Sequence, residues 1–532
     1  MLIKLVRHGL SKFQERRYDQ VDSLILAIMR FAIGIAIVFW ALTYVKTVSY
    51  GGEKLPLYEL VFLRPNFLFK YAGFEWVKLW PGIGIALHFH VTIIAGIMLA
   101  MGLFTRFSAA ILSLSIAYVL LVERQIYVNH YYLLSCLAGL MVFLPAGRRL
   151  SVDSWLGIER PSKHFVRWQL WLLQFQVGIP YVYGAIAKMN ADWLAGQPAG
   201  LFLSRRTNIW LVDLYMQLPF AHLIFAWSGL LYDLMIVPML MFRKTRLLGI
   251  VLSLVFHLSN SQLFHIGVFP WFMLAGIIVF FPENTAAKCV WYLKSLTRWL
   301  GSKFTSHRPQ PLEPFESSLQ KESDQAQPDR NDVPSSKWVK AGAYLAVAYV
   351  VVQMILPFRH WMLPGNPSWN ERGHRFAWRM MLRNKRFLTT FKVVAPDGKY
   401  QFFPTTHFLT HTQSNNAEKN PELMRQTAVK IKKNAAEAGI KDAKVYCLSL
   451  VSLNGRRPVP IIDPDIDLSQ AKRGWFKDSW VLQDPGPFQI PVWDQNLALW
   501  WQEVNLPEQF RELKEFLPSD LDALIQHQQA TR

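Results

Sequence analysis

SLILAIMRFAIGIAIVFWALTYV, residues Ser23–Val45, carries one charge, Arg30. An apolar run of roughly 20 residues is long enough to cross the hydrocarbon core of a bilayer as a helix. The sequence predicts eight more such segments. They lie at about Ile83–Phe104, Phe107–Val122, a run ending near Pro145, Phe165–Ala187, Ala221–Phe242, the short Leu247–His257, a run reaching Phe281, and Trp338–Leu356. Phe, Trp and Tyr make up 14% of the chain and hydrophobic residues 52%, as expected where aromatic side chains collect at lipid headgroups.

The 532 residues carry a net charge of +20. In a membrane protein this reads as cytoplasmic loops beside anionic lipid rather than as a nucleic-acid surface. The basic groups fall on one side: the N-terminus, Arg106, the loop with Arg148, Arg149, Arg160, Lys163 and Arg167, the RKTR turn at Arg243–Arg246, and the polar linker 284–337. That side is expected to be cytoplasmic. Nine spans then place residues 358–532 outside, together with the segments around Asn129, Lys188 and Asn260. The basic N-terminus lacks a cleavage pattern, so the first run reads as a retained helix. The middle of the linker, His307–Ser336, has the composition of disorder. The three cysteines, Cys136, Cys289 and Cys447, have no metal-type spacing and imply no disulfide framework.

The predicted fold is a polytopic α-helical membrane protein with a following α+β domain. Its parts are a membrane domain over 1–283, the cytoplasmic linker 284–337, a ninth helix over 338–357, and an extracytoplasmic domain over 358–532. In that last domain Asp397-Gly398 and Asn454-Gly455 mark hairpin turns between alternating strands. Pro421–Ala438 has helical spacing stopped by Gly439, and about Pro507–Gln529 also reads as helix. A short re-entrant or interfacial helix is expected near Leu201.

Polar groups at membrane depth are the candidate functional residues. Lys188, in GAIAKMNADWLAG (Gly184–Gly196), ends the fifth span. It either snorkels to water or, as a neutral amine in a dry site, serves as a base. Asp192 could equally pair with it and hold it charged. His130, after Asn129, starts the fourth span, where a structural role competes with a chemical one. His257 and Asn260 lie on one apolar segment and could hydrogen-bond each other. Met380-Met381 suits ordinary core or the wall of a pocket for an apolar ring or tail. No Walker loop, GxSxG or HExxH occurs, and there is no metal signature.

GAIAKMNADWLAG, VNHYYLLSCLAGLMVFLPAGRRLSVD upstream and FHLSNSQLFHIGVFPWFML downstream resemble the vitamin K-dependent gamma-glutamyl carboxylase family, with its horizontally transferred transmembrane (HTTM) domain. SWNERGHRFAWRMML, PDGKY and RRPVPIIDPDIDLSQA extend the resemblance over nearly the whole chain. The resemblance implies an enzyme that couples oxygenation of reduced vitamin K, a phylloquinol or menaquinol, to carboxylation of a peptide glutamate. Oxygen and carbon dioxide are co-substrates, the epoxide is co-product, and no metal takes part. It implies Lys188 as the base and His130 as the residue assisting carboxylation. Asn129, His257, Asn260, Ser261 and Gln262 would lie near the quinone, and Met380 and Met381 would line its pocket. The partners implied are membrane lipid, quinone and a glutamate-containing peptide or protein, with no nucleic acid. The cysteine pair that ties the two parts together in animal members has no evident counterpart, which points to a bacterial inner-membrane protein. Two other readings keep the fold: a quinol epoxidase without carboxylation, and a non-catalytic quinone- or lipid-binding protein.

Overall fold

The computed structural model describes residues 16–204, 210–264, 266–282, 337–487 and 504–513, with five residues between 288 and 297. The nine expected spans all fall on helices. These are α1 (Leu24–Val45), α2 (Gly84–Met101), α3 (Thr105–Val122), α4 (Asn129–Phe143), α5 (Arg167–Lys188), α6 (Ala221–Met241), α7 (Arg246–Leu263), α8 (Phe269–Gly276) and α9 (Lys337–Phe358). Among the described residues six helices are long and apolar enough to cross a membrane: α1, α2, α3, α5, α6 and the 341–362 stretch that contains most of α9. A 3-10 turn, Ile277–Phe280, extends α8. The seventh span was expected to stop at His257. It continues to Leu263 instead, because nothing before Gly267 breaks a helix.

Close approach of backbones holds the first helices together. A Cβ on Gly34 of α1 would come 2.6 Å from the Gly96 carbonyl oxygen of α2. Small residues permit such contact where apolar burial gives no net drive between helices. Arg30, 2% exposed, donates to the carbonyls of Ala146 at 2.7 Å, Arg149 at 3.2 Å and Leu150 at 2.5 Å. The lone charge of α1 is therefore structural, tying that helix to the loop after α4. A small ladder unforeseen in the sequence, β1 (Gln20–Asp22) with β4 (His164–Val166), secures the same end. A second hairpin, β2 (Thr47–Tyr50) with β3 (Glu53–Pro56), opens the connection between α1 and α2.

The α+β domain is an antiparallel sheet in the order β6-β5-β7-β8. Its strands are β5 (Lys385–Val394), β6 (Tyr400–Pro404), β7 (Lys444–Leu453) and β8 (Val459–Pro460). Both expected turns are present, with Gly398 and Gly455 each at φ 86°. Helix α10 (Pro421–Glu437) packs on β7 and ends just before Gly439, at φ 91°. Alternation along β7 buries both faces: Val445, Cys447 and Val451 pack with α10, while Leu448 and Leu450 pack with Leu506 and Phe510. The expected C-terminal helix lies mostly outside the described residues, as does the linker. A short helix, Gln197–Leu203, covers the stretch around Leu201.

The two parts share a core. Phe69, from the connection between α1 and α2, is fully buried in the core of the α+β domain. Gln426 of α10 bonds both backbone groups of Lys70, at 3.0 Å each, and Gln413 donates to the Phe67 carbonyl at 2.8 Å.

Candidate functional site

Lys188 does not snorkel. In the last turn of α5 it forms an ion pair with Asp233 of α6, and the two residues are 6% and 4% exposed. Its ammonium lies 5.2 Å from the Trp193 ring. Trp193 is held in turn: the Asn190 side chain accepts from its backbone N–H at 3.1 Å, and its indole donates to the Ala226 carbonyl at 2.8 Å. Asp192, the partner weighed from sequence, is engaged elsewhere. It accepts from Arg456 at 2.7 and 2.8 Å and from Asn454 at 2.7 Å, in the β7–β8 turn. Burial opposes ionisation of Asp192, but these bonds outweigh it and hold the carboxyl below its ordinary range.

Gly184 lies one turn before Lys188. A Cβ there would sit 2.8 Å from Asp233 Oδ2 and 3.6 Å from Met380 Cε. The missing side chain thus admits both the carboxylate and the methionine methyl. Met381 packs at the edge of the cluster of Ala185, Trp193 and Leu382. Both methionines come from a loop whose residues Phe376, Trp378 and Met381 have φ of 57°, 54° and 57°. Non-glycine residues in this region carry about 1–3 kcal/mol of strain each, sustained only where surroundings over-determine them. Here the surroundings are polar anchors. Tyr127 Oη accepts from the Phe376 N–H at 2.7 Å and donates to Asn129 Oδ1 at 3.0 Å, and Asn129 Nδ2 donates to the Arg379 carbonyl at 3.1 Å. Asn129 therefore sets the loop that carries Met380.

His130 is half-buried, its ring 4.6 Å from Tyr131 and 5.2 Å from Phe269. No hydrogen bond joins it to Lys188 among the described residues. His257, 2% exposed, faces α5 and α6: its Nε2 is 2.8 Å from Tyr181 Oη and 3.4 Å from Tyr232 Oη. Its partners are these tyrosines and not Asn260. Tyr181 lies seven residues before Lys188 on α5 and Tyr232 precedes Asp233, so one helix seam carries both polar groups. Asn260 and Ser261 are half-buried and Gln262 is exposed, in the last turn of α7. Among the described residues no group of His, Cys, Asp and Glu could hold a metal ion.

Asp233, Tyr181, Tyr232 and Gly184 are the site residues that sequence reasoning missed. Asp233 had a signal. It is the only carboxylate in the run Ala221–Met241, and an intramembrane carboxylate requires a partner.

Fold and site thus define a helical membrane protein with a buried Lys–Asp pair under a loop supplied by the α+β domain. The HTTM domain matches residues 18–284, and the lumenal domain of vitamin K-dependent gamma-carboxylase matches residues 338–486. No solved structure matches the chain. The chain belongs to the vitamin K-dependent gamma-carboxylase family, and it is an integral membrane protein.

Proposed function

We propose that the protein couples epoxidation of a reduced vitamin K or menaquinol to carboxylation of a peptide glutamate. The observation that carries this reading is the buried Lys188–Asp233 pair beside Met380. The surroundings suit a quinone ring: the Met380 methyl approaches the Gly184 position beside Asp233, and Met381 packs with Ala185 and Trp193. A bound reduced quinone supplies the ring that oxygen oxidises and, through that oxidation, the driving force for removing a glutamate proton. Lys188 accepts the quinol proton. For that, its own proton passes to Asp233. The pair holds one proton at rest and two afterwards, leaving a positive charge facing the deprotonated ring. His130 assists the carboxylation half, and His257, with Tyr181 and Tyr232, holds the polar seam beside the ring. The loop and α+β domain shield the site from water.

In this reading the N-terminus and linker 284–337 are cytoplasmic and residues 358–532 extracytoplasmic, in a bacterial inner membrane. Purified protein supplied with reduced menaquinone, oxygen, labelled bicarbonate and a glutamyl peptide tests it. Epoxide and labelled peptide are expected together. Epoxide alone would leave a quinol epoxidase, and neither product would leave a binding protein.

A further inference from the structure

Around Tyr71 the structure gathers cations that the proposed chemistry does not use. Arg124, between α3 and α4, lies over the Tyr71 ring at 5.3 Å, and Arg375 lies over it at 5.8 Å. Arg124 is 8% exposed, yet its Nε and Nη1 have no hydrogen-bond partner among the described residues, nor has the buried Tyr71 Oη. A buried guanidinium left without partners is costly unless an anion completes it.

Neither nearby carboxylate accepts a hydrogen bond from it among the described residues. Glu422 attracts Arg124 through its charge, but its oxygens accept from Arg425, at 2.8 and 2.9 Å, and from Gln426 at 3.0 Å. Glu123 accepts from the backbone N–H groups of Gln125 at 3.0 Å and Phe69 at 3.2 Å, and burial pushes its carboxyl up to about 8, against a smaller opposing pull from those bonds. Near neutral pH it therefore supplies little counter-charge. Arg473 faces Arg124 as a further cation.

The cluster also has a place relative to the chemistry. Arg375 begins the strained loop that carries Met380. The two are five positions apart in sequence, a reach of at most roughly 18 Å at 3.3–3.6 Å per residue. We infer that Arg124, Arg375 and Tyr71 Oη form a site for a side-chain carboxylate of an acidic peptide, holding the peptide at the mouth of the Lys188 site. This rests on the carboxylation reading, and it assigns the peptide its anchor. Guanidinium donors and a hydroxyl match a carboxylate's two oxygens.

The test uses the full chain in lipid nanodiscs with a fluorescent peptide containing one glutamate and its glutamine counterpart. The native protein is expected to bind the glutamate peptide at least about tenfold more tightly. Arg124→Met and Arg375→Met should each remove most of that preference, and Arg124→Lys should keep part of it. Thermal unfolding midpoints check that each variant is folded. Equal binding of both peptides by the native protein would overturn the site, as would an unchanged preference in folded Arg124→Met. So would a change confined to the anionic lipid retained on purification. Failure of the function itself reads differently: peptide discrimination without labelled carboxylate keeps the site and removes carboxylation, whereas carboxylation indifferent to Arg124→Met keeps the function and removes the site.

Discussion

Lys188 of α5 and Asp233 of α6 form a closed, buried ion pair, while Asp192, four residues beyond Lys188, is drawn away to Arg456. The pairing decides what Lys188 can do. A lysine anchored in headgroups would be exposed, and this one is 6% exposed. Partnered by a carboxylate, it can act as a base only if its proton has somewhere to go, and in the proposed chemistry Asp233 is that place.

Asp233→Asn keeps the size of the side chain and removes the proton acceptor. Epoxidation is expected to fall by about 10²-fold. Asp233→Glu should retain more activity. An epoxidation rate of folded Asp233→Asn that matches the native one would reduce Asp233 to a packing role.

Gly184→Ala places a methyl 2.8 Å from Asp233 Oδ2. Something must shift, at a cost of about 1–3 kcal/mol in stability, and quinol turnover should fall as Lys188 and Met380 move. Gly178→Ala, six residues earlier on α5, meets its nearest atom, Val237 Cγ2, at 3.3 Å, and should cost less in both measures. Thermal unfolding and epoxide assays on the two variants check the contrast.

Much of this was legible in the sequence. Apolar runs located α1 to α9, and Asp397-Gly398 and Asn454-Gly455 located both turns, because those features are local. The residues of the pair were legible only singly. Lys188 stood out by motif and Asp233 by being a charge in an apolar run, but their contact joins helices 45 positions apart in sequence. The diversion of Asp192 to Arg456 joins parts 264 positions apart. The left-handed backbone at Phe376, Trp378 and Met381 had no signal at all, since none is a glycine or asparagine and the anchors come from Tyr127 and Asn129.

Glu371, at the root of that loop, predicts acid sensitivity. It accepts from Arg383 at 2.6 and 2.9 Å and from Lys385 at 2.7 Å. Burial pushes its carboxyl up, but Arg383 and Lys385 together outweigh this and hold it well below the ordinary value of 4.5. A depressed carboxyl stabilises the fold fully above its unfolded value and loses that contribution as pH falls through and below it. Glu371→Gln should therefore be less stable than native protein at pH 7, with the difference shrinking below about pH 4.5. A difference independent of pH in thermal unfolding would contradict the ionic account.

Topology gives an independent check. A tag after Arg532 should be reachable from outside the inner membrane, and a tag between Arg308 and Pro334 only from the cytoplasm. Cytoplasmic labelling of both would overturn the assignment of sides.

The central claim is that Lys188 is the base, and the direct measurement is quinol epoxidation by Lys188→Arg. Arginine keeps a cation for Asp233, but guanidinium stays protonated and cannot accept the quinol proton. The variant is predicted to insert and fold while losing about 10²–10⁴ in epoxidation rate. Lys188→Ala should regain turnover with a small added amine, increasingly at higher pH. Near-native epoxidation by folded Lys188→Arg would contradict the account and leave the pair a structural clasp between α5 and α6.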